Sequence, residues 1–142
     1  RLEKLDRGDY GALVLASAGL RRLGLEERIS RLFSPEEMLP AAGQGILAVQ
    51  GREDFDRSLL REVEDKDSSA CALCERAFVR FLDGGCSSPV AAYAQADGET
   101  LRLRGLYWDE QGWEIDEIRG SVTDAEELGT TLARTMAARR GK

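Results

Sequence analysis

Histidine is absent from the 142 residues, which removes from this chain alone every mechanism that needs an imidazole base or metal ligand. Cysteine is scarce. Three residues make an odd number, too few for a disulfide framework at this length, and that usage suits a reducing, cytoplasmic compartment. No apolar run approaches the roughly 20 residues that a membrane helix needs, and the opening Arg1-Leu2-Glu3-Lys4 has no signal-peptide core. Low-complexity tracts are missing too, and a composition of 42% hydrophobic and 32% charged residues is that of a chain folding around a core. The net charge of -6 argues against nucleic acid or an anionic membrane as the main partner, while leaving room for local basic clusters that hold anions. There is no initiating Met, and an amphipathic segment is already under way at Arg1, so the sequence reads as part of something longer.

What is present divides by pattern. Arg1 to Arg7 reads as a short helix stopped by Gly8, and Gly11-Ala12-Leu13-Val14-Leu15-Ala16 as a strand covered on both faces, the habit of a parallel sheet. Ser17 to Leu25 reads as a helical turn at the end of that strand. Ligands gather beyond the carboxyl ends of strands in open α/β sheets, so Arg21 and Arg22 fall where an anion would bind, although both also suit a solvated helix surface. Glu26 to Phe33 is expected to be an amphipathic helix ended by Ser34-Pro35. Leu39-Pro40-Ala41-Ala42-Gly43-Gln44-Gly45 is a small-residue loop before a second buried strand, Ile46 to Val49, and Phe55 to Val63 a further helix. Two strands and short helices cannot cover both faces of a parallel sheet, so residues 1–66 read as an incomplete α/β region.

From Asp67 the character changes, and residues 67–142 read as a separate αβββα domain. Ser69 to Leu82 is a longer helix with Ala70, Leu73, Cys74, Ala77, Phe78 and Phe81 as its apolar stripe. Val90 to Ala96, Leu101 to Tyr107 and Trp113 to Arg119 alternate with period two, joined by hairpin-type turns at Asp97-Gly98 and Gln111-Gly112. Thr123-Asp124-Ala125-Glu126 has the form of a capping box opening a helix that carries Leu128, Leu132 and Met136. The fold class is therefore α/β, with an α+β C-terminal domain built on a three-stranded antiparallel sheet.

Between the long helix and the first of these strands stands Asp83-Gly84-Gly85-Cys86-Ser87-Ser88-Pro89. A thiol behind two glycines can be held at a cavity's edge as an attachment point, or it can be a structural cysteine buried at a helix stop. Cys71-Ala72-Leu73-Cys74 has CxxC spacing, but it lies within the helix stripe, where such pairs are core filler; a metal site would need further ligands, and without histidine only Cys86 and carboxylates remain. Arg139-Arg140-Gly141-Lys142 reads as a basic tail suited to a helix C-terminus. Trp108 and Trp113 read as packing residues, and Asp97, Glu99, Asp109 and Glu110 as turn charges.

Three stretches carry a resemblance. Tyr10 to Gly24, Leu39 to Gly45, and Glu75-Arg76-Ala77-Phe78 leading into Gly84-Gly85-Cys86-Ser87-Ser88-Pro89-Val90-Ala91-Ala92-Tyr93-Ala94 are together similar, in order and spacing, to the porphobilinogen deaminases, also called hydroxymethylbilane synthases. The resemblance implies three α/β domains, the first two like periplasmic binding proteins and the third αβββα, with residues 1–66 a remnant of the first two. It implies that Cys86 carries a dipyrromethane cofactor through a thioether, and that porphobilinogen units condense onto this primer with loss of ammonia to give hydroxymethylbilane. Arg1 and Arg22 match arginines that bind acetate and propionate groups, and Gln44 falls in a loop lining the cleft.

The chemistry agrees with those roles. Each pyrrole adds two carboxylates, guanidinium groups bind carboxylates bidentately while staying charged, and a thiolate traps the electrophile formed when ammonia leaves. The family's catalytic aspartate lies upstream of this sequence, so the resemblance implies that the chain alone is inactive and needs the N-terminal half as its partner. No metal is implied. The other reading is a non-catalytic binding or regulatory domain on the same fold.

Overall fold

The alternating residues after Pro89 form an antiparallel sheet of β1 (Val90–Asp97), β2 (Thr100–Asp109) and β3 (Gly112–Ser121), in the order β1-β2-β3. The computed structural model describes residues 1–82 and 89–141. Asp97 pairs with Thr100 and Asp109 with Gly112, leaving two-residue turns at Gly98-Glu99 and Glu110-Gln111. Asp109 Oδ1 accepts the Gln111 backbone N–H at 2.9 Å, a side chain closing its own bend. Ala92, Ala94, Leu101, Leu103 and Tyr107 are buried on one face of the sheet, as pleating with a single wet face requires.

Among the described residues the helices are α1 (Leu2–Asp6), α2 (Ser17–Arg22), α3 (Lys66–Phe81) and α4 (Ala125–Arg139). The last two pack on each other and cover the buried face of the sheet, with Phe78, Met136 and Cys74 fully buried beside Leu101 and Leu103. Close approach depends on glycine at two positions. A side chain at Gly129 of α4 would overlap the Cys74 carbonyl of α3, and one at Gly105 of β2 would overlap the Phe78 ring.

The chain divides into two compact units, Arg1–Ser34 and Pro35–Lys142. In the first, α1 and α2 form where the pattern places them, and Gly8 takes the left-handed conformation that ends α1. Glu26 to Phe33 is not a helix: only a 3-10 turn, Glu26–Arg28, forms, with an Arg28–Asp6 ion pair holding it.

Other expectations are corrected. Residues 11–16 and 46–49 are not strands; Val14, Leu47 and Val49 are 70%, 86% and 66% exposed. A parallel strand is held by ladder hydrogen bonds to neighbours, and among the described residues the sheet has no strand beyond β1, β2 and β3. The expected helix from Phe55 to Val63 shrinks to a 3-10 turn, Arg57–Leu60, for want of a surface on which to bury its apolar side. In α3 the stripe is narrower than expected, with Leu73 and Phe81 half exposed. The capping box does not form. The chain enters α4 through a 3-10 turn, Val122–Asp124, whose cap is Ser121, and no side chain caps α4 itself. Trp108 and Trp113 face each other across β2 and β3 but are 49% and 69% exposed, on the outer side of the sheet.

Candidate functional site

α3 is well anchored at its start. Asp65 accepts the Ser68 backbone N–H at 2.7 Å, and this bond, with a second from the Ser68 side chain, holds its carboxyl below the usual carboxylate range. The helix runs to Phe81 and β1 begins at Val90, so Cys86 lies on the connection between two elements packed into the core. Cys86 itself is outside the described residues.

β1 is an edge strand, and its outward backbone N–H groups need acceptors. The Ala92 N–H donates to the Pro40 carbonyl at 3.2 Å, and the Ala94 N–H donates to Glu75 Oε1 at 2.7 Å. The Ala96 backbone hydrogen-bonds the Cys71 sulfur. Glu75, on the inward side of α3 and only 4% exposed, uses its other oxygen, Oε2, to accept the Gly43 N–H at 2.7 Å. Burial pushes the Glu75 carboxyl up, and the Gly43 and Ala94 amides pull it partly back. The small-residue loop is thereby tied to the edge of the sheet by a helix side chain. Residue type alone gives little warning of this, since an acidic residue beside Cys74 and Ala77 reads as a break in an apolar stripe.

Gln44 is exposed on that loop, in a turn closed by its own N–H to the Ala41 carbonyl and by the Ile46 N–H to the Gly43 carbonyl, both 3.1 Å. Gly43 and Gly45 on either side have φ of +76° and +85°, a conformation that favours glycine. The loop presents a polar amide between two positions that a side chain would strain.

Arg1 and Arg22 both belong to the first unit and both are exposed. Arg1 lies at the start of α1 and lines a pocket of about 480 Å³ with Leu2, Leu15, Ala16, Leu20 and Leu23 among its walls. Arg22 is in the last turn of α2, outside that lining. Neither forms an ion pair among the described residues, nor does Arg21, whereas Arg28, Arg102, Arg139 and Arg140 are all paired with carboxylates. With no ion pair among the described residues, the permanently charged guanidinium groups of Arg1 and Arg22 are each donors suited to a carboxylate, and the exposed Gln44 amide, in the other unit, is a neutral donor.

The remaining thiols are different in character. Cys74 is completely buried, and desolvation, with a smaller contribution from Glu75, pushes its pKa up to about 12; Cys71 is half-buried and also raised, chiefly by burial. Neither is a thiolate near neutrality. No cluster of three or more metal-ligating side chains occurs among the described residues. No helix among them is long and apolar enough to cross a membrane.

The basic tail is more than a dipole partner. The Arg140 side chain is only 8% exposed, bonded to Asp109, to Glu114 Oε2 at 3.1 Å and to the Gly112 carbonyl at 2.8 Å, over the Tyr107 ring. It fastens the end of α4 to the β2–β3 turn.

Comparison with known proteins gives a consistent result. The family model described as Porphobilinogen deaminase, dipyromethane cofactor binding domain, matches residues 1–60, and that described as Porphobilinogen deaminase, C-terminal domain, matches residues 69–138. The porphobilinogen deaminase of Acetivibrio thermocellus is 53% identical over 137 residues, covering 96% of this chain and 47% of its own length. That of Alkaliphilus oremlandii is 52% identical over 137 residues, covering 96% and 46%, and that of Ruminiclostridium josui 49% identical over 140, covering 96% and 47%. The chain thus spans about half the length of the curated relatives it matches. On these matches, and on a three-stranded antiparallel sheet covered by two helices where the C-terminal model falls, the chain belongs to the porphobilinogen deaminase family.

Proposed function

We propose that this chain works as the C-terminal half of a cytoplasmic porphobilinogen deaminase, a transferase that condenses porphobilinogen units with loss of ammonia to give hydroxymethylbilane. The observation that carries the reading is that the two family models, one of them for cofactor binding, between them match residues 1–60 and 69–138. The interval between the two matches supports a domain boundary between residues 66 and 67, at the start of α3.

Cys86 is the attachment point in this reading. A dipyrromethane bound there supplies the primer on which the product is built. Arg1 and Arg22, both without ion pairs among the described residues, hold pyrrole carboxylates, and Gln44 donates a neutral hydrogen bond from its loop. Cys74 and Cys71, kept protonated by burial, do not compete for the electrophile. The acid-base carboxylate comes from the N-terminal half, so the 142-residue chain alone gives no turnover.

The test is intact mass of the chain produced together with the N-terminal half of a relative and supplied with porphobilinogen. An addition the size of a dipyrromethane, lost in Cys86→Ser together with turnover, is the expected result. A bare, inactive chain in that assembly overturns the reading and leaves a non-catalytic binding domain in its place, and full activity in Cys86→Ser overturns the role of Cys86 as the attachment point.

A further inference from the structure

We propose that Glu75 is a positioning residue: its carboxylate clamps the Gly43-Gln44-Gly45 turn to the edge of β1 and so sets where the Gln44 amide stands. The inference rests on the reading of Gln44 as a ligand-binding residue and adds to it the group that holds Gln44 in place.

One side chain serves two backbone donors from different segments, Gly43 N–H on Oε2 and Ala94 N–H on Oε1, each at 2.7 Å. That distance is at the short end of the N–H···O range, as expected for bonds to a charged or strongly polarised acceptor. Position and rigidity come from α3, whose neighbouring Cys74, Ala77 and Phe78 are buried in the core. A third bond, Ala92 N–H to the Pro40 carbonyl at 3.2 Å, holds the loop's entry to the same strand edge. The loop is thus fixed at Pro40 and at Gly43, immediately before Gln44. From there on the chain is exposed at Gln44 and Gly45, and residues 46–49 form no strand.

Chemistry makes the clamp specific to a carboxyl group. Two N–H donors converge on it and need two acceptor oxygens; an amide supplies only one and turns its NH2 toward the other donor. Shortening the side chain by one methylene, as in Glu75→Asp, keeps the acceptors but draws them back toward the axis of α3, away from Gly43.

The proposal is tested in two ways. In the 142-residue chain, the Gly43 and Ala94 amide resonances of the parent should titrate together with pH. In Glu75→Gln they should stop titrating, and Gly43 should exchange its amide hydrogen roughly tenfold faster, the factor that one lost hydrogen bond of this kind is worth. In the assembly with an N-terminal half, Glu75→Gln should raise KM for porphobilinogen roughly tenfold while kcat stays within about twofold, the pattern of a lost binding contact. Gln44→Ala should show the same KM effect, and the double variant Gln44→Ala with Glu75→Gln no more than either alone.

Independent titration of the two amides, unchanged Gly43 exchange in the variant, or additive KM effects would each overturn the clamp. Glu75→Asp, which keeps the buried carboxyl group, replaces Glu75→Gln if the latter does not fold, and there the faster exchange and the lost titration are expected at Gly43. The titration of the parent needs no variant. Because the amide measurements use no substrate, they judge the clamp even if Cys86 proves bare and the functional reading fails.

Discussion

Phe78 of α3 lies so close over Gly105 of β2 that a single methyl group on the glycine would overlap the ring. The fully buried phenylalanine and the missing side chain are two halves of one fit, and they set the spacing between helix and sheet. Gly105→Ala should therefore destabilise the chain by about 1–3 kcal/mol, the usual range for overpacking a filled core. Gly129→Ala should be at least as damaging, since its methyl group meets the backbone carbonyl of Cys74, which cannot move without α3. Gly120→Ala should be mildest, because the Cβ, though only 2.6 Å from Leu128 Cδ1, meets the end of a side chain that can change rotamer. Urea unfolding of the three variants gives the order, and a Gly120 variant weaker than the other two would contradict it.

How much of this was legible beforehand depended on whether an element carries its own partners. β1, β2 and β3 were readable from period two and their turns because they pair with one another, and α3 and α4 because their apolar faces meet the sheet. Residues 11–16 have an equally clear strand composition and stay unpaired, since composition states a preference while pairing needs a neighbour. Pattern leaves Cys86 and Arg22 with two readings each, and the resemblance decides between them, whereas the roles of Arg1 and Gln44 rest on the resemblance. Glu75 lies in the Glu75-Arg76-Ala77-Phe78 stretch, whose pattern gives no sign that the carboxyl is buried. Its role depends on Gly43 and Ala94, 32 and 19 residues away, which no local pattern encodes.

The pairing of Arg140 separates two neighbouring charges by environment. Its side chain is 8% exposed and bonded to Asp109, Glu114 and the Gly112 carbonyl, while that of Arg139 is 51% exposed and pairs with Glu114 and Asp116 at the surface. Removing a buried partner strands the acids it faces, whereas an exposed pair is already screened by water. Arg140→Ala should lower Tm clearly more than Arg139→Ala, and should speed amide exchange in the β2–β3 turn. Equal effects in both variants would show that the tail is only a helix-end charge.

The three thiols should differ in reactivity. Iodoacetamide reacts with thiolates, and a thiol with its pKa near 12 is almost wholly protonated at pH 8. Peptide mapping of the folded chain should find Cys74 unmodified and Cys71 slow and, on the reading of Cys86 as the attachment thiol, Cys86 modified first, with all three equal once the chain is unfolded in guanidinium. Early labelling of Cys74 in the folded chain would mean that the α3–α4 interface opens readily or that the helices do not pack as described.

Glu75 gives a pH dependence whose sign can be worked out. Its carboxyl is raised above the ordinary value of 4.5, with burial as the largest cause, so the folded chain holds this proton more tightly than the unfolded one. Its contribution to stability is therefore full below about pH 4.5 and is lost as pH rises through the folded value, since ionising a buried carboxyl costs more inside the protein than in water. The groups around it are the Gly43 and Ala94 amides, which favour the charged form and limit the rise, and the Cys71 and Cys74 thiols on the same helix, which bring no positive charge. The measurement is the urea midpoint of parent and Glu75→Gln at a series of pH values from 4 to 8. Glutamine cannot ionise, so other carboxylates cancel in the difference, and the stability of the parent relative to the variant should fall as pH rises. A difference that grows with pH would show that the two amides outweigh burial and that the carboxyl is held ionised, below its ordinary range.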